Sequence, residues 1–252
     1  MNWVTRSLNA LWGIYAWLCF ALAVLFAVLV TLFVPGMQRR QRLVTGAARS
    51  VFVMAGVQVT VSGMDNLPAE DCVVVANHAS YVDGPLLKGF LPARFNFVIK
   101  GEMRDFGPAH FVLRRAGSKF VERKEVSGST RDARQIVKAA QGGESLGFFP
   151  EGTFRARVGV GRFRPGAFVA AVRGGLPIVP VAIRGTRYLL PSGRLLPRPT
   201  DVEIEILPAI TIDDPVFGHS RKLAEAARQR ILTVLDEPDL LADPTYDEAE
   251  DT

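Results

Sequence analysis

The chain has 252 residues, of which 48% are apolar and 22% charged, with 30 basic and 25 acidic side chains. This composition excludes a disordered or collagen-like chain and is sufficient for one well-buried domain. The two cysteines, Cys19 and Cys72, are too few for a disulfide scaffold, and a reducing compartment is the simplest inference. Charge is unevenly distributed, because residues 236–252 hold eight acids and no base, while residues 1–235 hold 30 bases and 17 acids.

The first predicted element is a membrane segment over residues 1–36. The stretch from Leu11 to Val34 carries no charge and is apolar except at Gly13 and Thr31. As a helix it would be about 36 Å long, which exceeds the roughly 30 Å hydrocarbon core of a bilayer and allows either a tilted span or burial in one leaflet. A cleaved signal peptide is the alternative, but its apolar region is shorter, roughly 7–15 residues.

A basic amphipathic helix is predicted next, within residues 37–62. Apolar side chains recur at helical spacing from Gln38 to Val59, and four arginines lie elsewhere on the helix surface. They are Arg39, Arg40, Arg42 and Arg49. Such a helix either lies among lipid headgroups or packs on the domain with its basic face in solvent. The basic excess after the apolar stretch places the rest of the chain on the cytoplasmic side of an inner or plasma membrane.

Residues 63–235 predict one α/β domain. Short apolar or β-branched runs at 72–76, 95–99, 119–121, 146–149, 178–183 and 202–207 are typical of strands. Helical patterns lie between or after them at 129–140, 165–173 and 221–235. This alternation favours a mixed, largely parallel sheet flanked by helices. The acidic segment 236–252, with two prolines, is predicted to be disordered.

The polar residues that follow the first predicted strand of this domain form a candidate catalytic pair, His78 and Asp83. On one continuous helix, side chains five residues apart differ by about 140° in direction, so they would not meet. If Ser80 instead caps a helix, the Asp83 carboxylate points back toward His78. That carboxylate would fix the imidazole tautomer and leave the other ring nitrogen as a general base. The alternative is a helix cap beside an incidental histidine.

Basic side chains follow three other predicted strands. Lys100 follows the strand at 95–99, and Arg123 follows the one at 119–121. Glu151 is a lone carboxylate before Arg155, Arg157 and further arginines. Guanidinium groups pair bidentately with phosphate, so this pattern predicts a site for a phosphorylated ligand, with a solvated basic loop as the alternative.

Four sequence blocks resemble those of the glycerolipid acyltransferases typified by 1-acylglycerol-3-phosphate acyltransferase. They are N-H-A-S-Y-V-D at 77–83, G-S-K-F-V-E-R at 117–123, F-P-E-G-T at 149–153 and V-P-V-A-I at 179–183, in the family's order. The resemblance implies cytosol-facing transfer of an acyl chain from acyl-CoA or acyl carrier protein to a lysophospholipid hydroxyl, in phospholipid biosynthesis. It implies neither a metal nor another cofactor, and no acyl-enzyme.

The resemblance also implies roles for individual residues. His78 would be the base for the acceptor hydroxyl, and Asp83 would orient it. Arg123 would meet the acceptor phosphate, and Pro180 would lie in the apolar surroundings of the acyl chain. The full set of substrate-binding positions that it implies is Lys100, Gly117, Phe120, Arg123, Glu151, Gly152, Thr153, Arg155 and Pro180.

One departure from the family pattern bears on the acceptor. The third block commonly reads E-G-T-R, but here Phe154 occupies the arginine position and Arg155 comes one residue later. A shift of one residue turns a side chain to the other face of an extended segment. The acceptor is therefore predicted to be 1-acylglycerol-3-phosphate or, alternatively, a lysophosphatidylethanolamine or an amino-acid lysolipid.

Two other function classes compete with this hypothesis. Residues 143–147 match G-x-S-x-G, and Asp201 and His219 follow in the order of a serine esterase that uses Ser145. The esterase motif must follow a strand and open a helix, and here the predicted order is reversed. A membrane-tethered binder of anionic lipid, without catalysis, is the second competitor. A nucleic-acid partner is not predicted, because the basic surface lacks interleaved aromatic residues.

Overall fold

The computed structural model describes residues 3–101, 107–121, 126–154 and 156–246. Its strands are β1 (Val59–Ser62), β2 (Val73–Ala76), β3 (Asn96–Lys100), β4 (Lys119–Val121), β5 (Leu146–Phe148), β6 (Ile178–Arg184) and β7 (Val202–Ile206). Its helices are α1 (Trp3–Phe33), α2 (Met37–Met54), α3 (Asp83–Phe90), α4 (Gly107–Arg115), α5 (Val126–Gln141), α6 (Gly166–Gly174), α7 (Thr186–Leu189) and α8 (Ser220–Val234).

The seven strands form one sheet in the order β1-β7-β6-β2-β5-β3-β4. Among the described strands, β6 and β7 pair antiparallel and the other pairings are parallel, so the predicted mixed, largely parallel sheet is confirmed. Every residue of β2 is buried, as expected for a central strand covered on both faces. Strands β2 to β6 all end at the same edge, which we call the carboxyl edge; the opposite one is the amino edge.

Helices cover both faces of the sheet. Helices α5, α6 and α8 bury Ile136, Phe168 and Leu223 against one face. Helices α2 and α3 bury Phe52 and Leu86 against the other, and Ala16 of α1 joins the same cluster. Burial of these apolar side chains, at about 25 cal/mol per Å² of apolar surface, is the main favourable contribution to folding.

Helix α1 is long and apolar enough to cross a membrane, on length and composition alone. One side packs along α2 and α4: Trp12 Nε1 donates to the Ala55 carbonyl (3.0 Å), and Arg115 Nε donates to the Thr31 carbonyl (3.0 Å). Its other side is an exposed apolar surface, which we call the apolar stripe. The stripe consists of Leu11, Ile14, Tyr15, Leu18, Leu22, Leu25, Phe26, Leu29, Leu32 and Phe33.

The structure corrects the predicted segment boundaries in two places. The amphipathic helix ends at Met54, and Val59–Ser62 is an edge strand paired with β7, so residues 37–62 are partly within the sheet. The acidic segment was expected to be disordered, but residues 236–246 are ordered and include a 3-10 helix at Leu240–Ala242. The remaining residues of that segment, 247–252, lie outside the described part of the chain.

Candidate active site

His78 and Asp83 form a hydrogen-bonded pair beyond the carboxyl end of β2. Asp83 is the first residue of α3, and its Oδ2 lies 2.8 Å from His78 Nδ1. The same oxygen accepts the backbone N–H groups of Ala79 (2.7 Å) and Ser80 (2.8 Å). The tight turn between strand and helix therefore returns the carboxylate toward the entering chain, as the sequence predicts. Ser80 itself does not cap the helix, because α3 begins at Asp83 and Val82 occupies the cap position; the Ser80 hydroxyl donates to the Leu190 carbonyl (2.6 Å) and accepts the Val82 N–H (3.3 Å).

The geometry of this pair determines the tautomer of His78. A carboxylate only accepts hydrogen bonds, so Nδ1 carries the hydrogen and Nε2 keeps a lone pair. The ring stacks on Phe149, with centroids 4.2 Å apart and an interplanar angle of 20°, and meets the edge of Phe154 at 4.8 Å. The imidazole is 17% exposed, whereas the Asp83 side chain is fully buried. The site thus presents one basic nitrogen at the surface, held by a buried carboxylate.

Glu151 accepts a hydrogen bond from the backbone of His78. Its Oε1 accepts the His78 N–H (2.8 Å), and its Oε2 accepts the Gly161 N–H (3.0 Å). The side chain is buried, and this burial raises the pKa of the Glu151 carboxyl, although the two backbone hydrogen bonds act in the opposite direction. Glu151 therefore links the carboxyl ends of β2 and β5. Both carboxylate oxygens of Glu151 thus accept hydrogen bonds from the protein backbone.

Asn77, directly before His78, fixes the end of β2, although no role was predicted for it. It is buried, and its side-chain amide donates to the Ile183 carbonyl (3.0 Å) while its oxygen accepts the Ile183 N–H (2.8 Å). These two bonds join the end of β2 to the end of β6, where the backbone ladder stops. The sequence does indicate a role for Asn77, because its amide side chain lies between a buried strand and a candidate catalytic histidine.

Several predicted binding residues also lie at or near the carboxyl edge. Lys100 is the exposed last residue of β3, and Phe120 pairs with Ile99 in the neighbouring β4. Gly152, with φ of 88°, and Thr153 follow Glu151 in the loop after β5. A left-handed φ of this kind favours glycine, which explains the residue type at the turn. Arg123 and Arg155 lie outside the described residues.

Two predicted residues are not brought to His78. Pro180 lies in the middle of β6, opposite Val75, and is surrounded by the sheet. Gly117 precedes β4 and therefore lies at the amino edge, where a Cβ would collide with Asn96 Oδ1. Its φ of 97° is a second conformational reason for glycine. The structure thus gives Gly117 a packing role away from the carboxyl edge.

A cleft of about 630 Å³ opens at the amino edge near Gly117. Its polar side chains bond one another: Gln41 donates to Asn96 (2.8 Å), and Asn96 and Lys119 donate to Glu144 (2.9 and 3.0 Å). The cleft is separated from His78 by the length of the strands. Its hydrogen bonds therefore stabilise the sheet edge, and the cleft is not part of the site around His78.

The serine esterase alternative is wrong. Ser145 is buried before β5, at the amino edge, and its hydroxyl donates to Asp71 (2.6 Å). Asp201 precedes β7, which runs antiparallel to β6, so it lies at the opposite edge from Ser145. A strand follows Ser145, whereas a nucleophile elbow needs a strand before the serine and a helix after it.

Comparison with known proteins identifies the class to which this fold and this pair belong. A family model described as Acyltransferase matches residues 58–184, which is half of the chain. That range contains β1 to β6 and both members of the His78–Asp83 pair. The chain belongs to the acyltransferase family.

Individual relatives give a more particular similarity. The chain is 26% identical over 183 residues to a chloroplastic 1-acyl-sn-glycerol-3-phosphate acyltransferase of Arabidopsis thaliana, covering 72% of this chain and 51% of that protein. It is 32% identical over 194 residues to the enzyme of the same name from Chlamydomonas reinhardtii, covering 75% and 56%. The chain thus spans about half the length of these plant and algal relatives.

Two further similarities come from bacteria. A lyso-ornithine lipid O-acyltransferase of Pseudomonas aeruginosa is 29% identical over 200 residues, covering 79% of this chain and 70% of that protein. The crystal structure of the 1-acyl-sn-glycerophosphate acyltransferase PlsC from Thermotoga maritima superposes with a TM-score of 0.72 at 23% identity. It covers 92% of this chain and 98% of that one, and so shows that the two share a fold.

Proposed function

We propose that this protein is a membrane-associated O-acyltransferase that moves a fatty acyl chain from a thioester donor to the hydroxyl of a lysolipid. The observation that carries the proposal is the His78–Asp83 pair, with Nδ1 and Oδ2 2.8 Å apart and Nε2 directed away from the carboxylate. A base of this kind activates a hydroxyl without a metal ion. The donor is acyl-CoA or acyl carrier protein.

The geometry supports a direct transfer in one displacement. His78 Nε2 accepts the proton of the acceptor hydroxyl while the hydroxyl oxygen attacks the thioester carbonyl carbon. The C–O bond forms, the tetrahedral adduct collapses, and the C–S bond breaks. The departing thiolate then takes the proton from the imidazolium, which restores neutral His78. Asp83 stabilises the imidazolium while the proton resides there, and general base catalysis of this type contributes roughly 10²- to 10⁴-fold in rate.

The acceptor proposed first is 1-acylglycerol-3-phosphate, with Lys100 and Arg123 as the basic groups for its phosphate. This proposal rests on the resemblance of the four sequence blocks and on the names of the relatives. Phe154 favours the second candidate, an amino-acid lysolipid. Its ring occupies the place of the family's arginine and packs against His78 and Tyr81, with centroids 4.8 and 4.5 Å apart. A phenyl ring supplies no charge for a phosphate.

The apolar stripe of α1 supports a membrane site of action. Contacts from Trp12 to Thr31 hold the opposite side of α1 along the domain. A helix that crossed the bilayer could not keep contact with the domain along most of its length, because the domain lies outside the membrane. We therefore propose that α1 lies in one leaflet. The domain then faces the cytoplasm, as the excess of basic residues after the apolar stretch predicts. Protease protection of an N-terminal tag tests this, because a spanning helix would protect the tag and a single-leaflet helix would not.

The central experiment is a panel of acceptors with product detection by mass. Purified protein in vesicles is given 1-acylglycerol-3-phosphate, lysophosphatidylethanolamine or lyso-ornithine lipid. Each acceptor is tested with acyl-CoA and with acyl-loaded acyl carrier protein. We expect one diacyl product that depends on His78. Absence of product with every donor and acceptor would contradict the proposed function.

The variant Phe154→Arg distinguishes the two acceptor classes. We expect it to raise kcat/KM for 1-acylglycerol-3-phosphate relative to lyso-ornithine lipid by about 10-fold, because a guanidinium then faces the phosphate. The ratio is the readout, since the loss of ring packing against His78 affects both substrates alike. An unchanged ratio would show that position 154 does not contact the headgroup.

A further inference from the structure

The acidic residues 236–246, which we call the strap, lie along the loop that follows the third sequence block. The Val160 N–H donates to the Pro238 carbonyl (3.0 Å), and the Leu240 N–H donates to the Val160 carbonyl (3.2 Å). Gly159 packs so closely beneath the strap that a Cβ there would come within 2.7 Å of Leu240 and of the Pro238 carbonyl. The strap is therefore an ordered part of the domain and bonds to the loop at residues 157–161.

Ion pairs join the strap to three basic residues of the domain. The pairs are Arg187–Glu237, Arg228–Asp239 and Arg157–Asp243. The first is bidentate, with both nitrogen–oxygen distances at 2.9 Å. Glu237 also accepts the Gly159 N–H (3.2 Å), so the same carboxylate holds both the domain and the loop. The negative charge of this segment thus has specific partners.

Arg228 connects the strap to the loop from inside the protein. It lies on α8, its side chain is 1% exposed, and its Nε donates to the Gly161 carbonyl (2.8 Å). Its Nη2 donates to the Val160 carbonyl (3.1 Å) and also bonds to Asp239 of the strap. Burying a guanidinium is costly unless its donors are satisfied in good geometry. The carbonyls of residues 160 and 161 are therefore fixed relative to α8.

The loop in turn is bonded to the catalytic backbone. The Gly161 N–H donates to Glu151 Oε2 (3.0 Å), and Glu151 Oε1 accepts the His78 N–H (2.8 Å). One continuous series of hydrogen bonds thus runs from Asp239 through Arg228, Gly161 and Glu151 to His78. We propose that Arg228, held by Asp239 of the strap, is a positioning residue that sets the place of His78 for acyl transfer.

This inference rests on the proposed function, and it predicts a particular kinetic pattern. Arg228 and Asp239 act on His78 through two backbone amides, without a place in the acceptor or donor contacts derived above. A small displacement of a general base lowers the rate of the chemical step much more than it alters substrate binding. Loosening the strap should therefore lower kcat and leave both KM values nearly unchanged.

The experiment compares strap variants of the full-length protein in vesicles, at a temperature where circular dichroism shows each to be folded. We expect Asp239→Ala to lower kcat by about 10-fold, with KM for donor and acceptor within about two-fold of wild type. Glu237→Gln, which loosens the strap without touching Arg228, should lower kcat by about three-fold. It also serves as the loss variant if Asp239→Ala does not fold.

Two further variants separate positioning from a general loss of structure. Asp239→Asn keeps a hydrogen-bond acceptor for Arg228 and should restore more than about half of kcat. Glu225→Gln is the matched control, because Glu225 also pairs with Arg228 (3.2 Å) but is exposed and lies off the path to His78. We expect its kcat to equal that of wild type.

Hydrogen exchange provides a readout that does not require turnover. The amides of Gly161 and His78 should exchange faster in Asp239→Ala than in wild type and in Glu225→Gln, because both donate to Glu151. A folded Asp239→Ala with wild-type kcat and unchanged exchange at these amides would overturn the inference, as would a rise in KM alone. If wild type transfers no acyl chain, the proposed function fails, and exchange at Gly161 and His78 still decides whether Asp239 positions them.

Discussion

At the scale of single residues, the surroundings of His78 suit it to the proposed role of general base. Asp83 directs Nδ1, Phe149 supports the ring from one side, and Glu151 holds the backbone nitrogen. All these contacts restrict the imidazole to one orientation, which avoids the entropy cost of orienting it during the reaction. The His78 side chain is 17% exposed and is not among the buried core residues, so we expect its removal to affect activity far more than folding.

We expect His78→Ala to abolish transfer, by about 10²-fold or more, while leaving folding and vesicle binding intact. Steady-state product formation and thermal unfolding measure the two effects. The control is Ser145→Ala, which removes a buried hydrogen bond at the amino edge. It should retain near-normal activity and lose about 1 kcal/mol of stability. Unchanged turnover in His78→Ala would contradict the mechanism.

Lys88 provides a residue-scale prediction about pH. It lies in the last turn of α3 with Nζ donating to the Phe95 carbonyl (3.2 Å), and burial lowers the pKa of its ammonium from 10.5 to about 8. Between these pKa values the unfolded chain binds more protons than the folded protein, so the free energy of unfolding rises with pH in that window.

The predicted contribution of Lys88 between pH 8 and pH 10 is on the order of 2 kcal/mol. Urea unfolding of wild type and Lys88→Met at several pH values measures it, and the variant should lack this rise. The exposed Lys138 of α5 offers the control, since Lys138→Met should keep the wild-type slope. Parallel curves for wild type and Lys88→Met would show that Lys88 does not titrate in this range.

At the scale of elements, α1 serves two surfaces at once. Its inner side completes the packing of α2 and α4, where Ala27, Val30 and Val44 are buried together. Its outer side exposes the apolar stripe along the full length of the helix. Contiguous exposed apolar surface of this size marks an interaction site. The stripe thus accounts for the apolar composition of the first 36 residues better than packing alone.

We expect the double variant Leu22→Glu and Leu25→Glu to lose vesicle binding by about 10-fold or more and to remain folded. Both side chains are about half exposed in the stripe, at 52% and 56%, so the charges would be buried only in lipid. Co-sedimentation with vesicles measures the change. Ile212→Glu, at a 60% exposed position away from α1, is the control and should bind as wild type does. Equal binding by all three proteins would rule out the stripe as the membrane contact.

At the scale of the whole molecule, the sheet separates two chemically different edges. The carboxyl edge carries His78, and the amino edge carries the internally bonded network around Asn96 and Glu144. Cys72 directly precedes the central strand β2, at the amino edge, and is fully buried, and this burial raises the pKa of its thiol to about 11. The thiol is therefore both shielded and protonated at neutral pH.

Cys72 should report global unfolding. In a Cys19→Ala background we expect Cys72 to react with a thiol reagent only when the whole sheet opens, because the thiolate is the reactive form and β2 is central. Labelling rates across urea concentrations should follow the same dependence as the unfolding transition seen by circular dichroism. Fast labelling in the absence of denaturant would show that β2 opens locally.

The sequence by itself indicated the acyltransferase class, the fold class and most of the elements. The N-H-A-S-Y-V-D block predicted the His78–Asp83 pair, because both residues lie in one turn whose geometry depends on neighbouring residues. Long apolar runs such as that of β6 predicted strands for the same local reason. Strand β1 was missed because the predicted helix was extended to Val59, the strand has only four residues, and its pairing with β7 joins positions more than 140 residues apart.

Only the tertiary structure decided which residues share an edge and which partners they meet. Gly117 matches a family block, yet β4 begins beside it, so the direction of that strand places it away from His78. The composition of the strap predicts a disordered acidic tail, but in the structure its Asp239 pairs with the buried Arg228. Contacts of this kind depend on how distant segments pack, and residue spacing carries no information about that distance. Local turns can be predicted from a sequence because they depend on neighbouring residues. The pairing of buried charges from distant segments can be seen only in the tertiary structure.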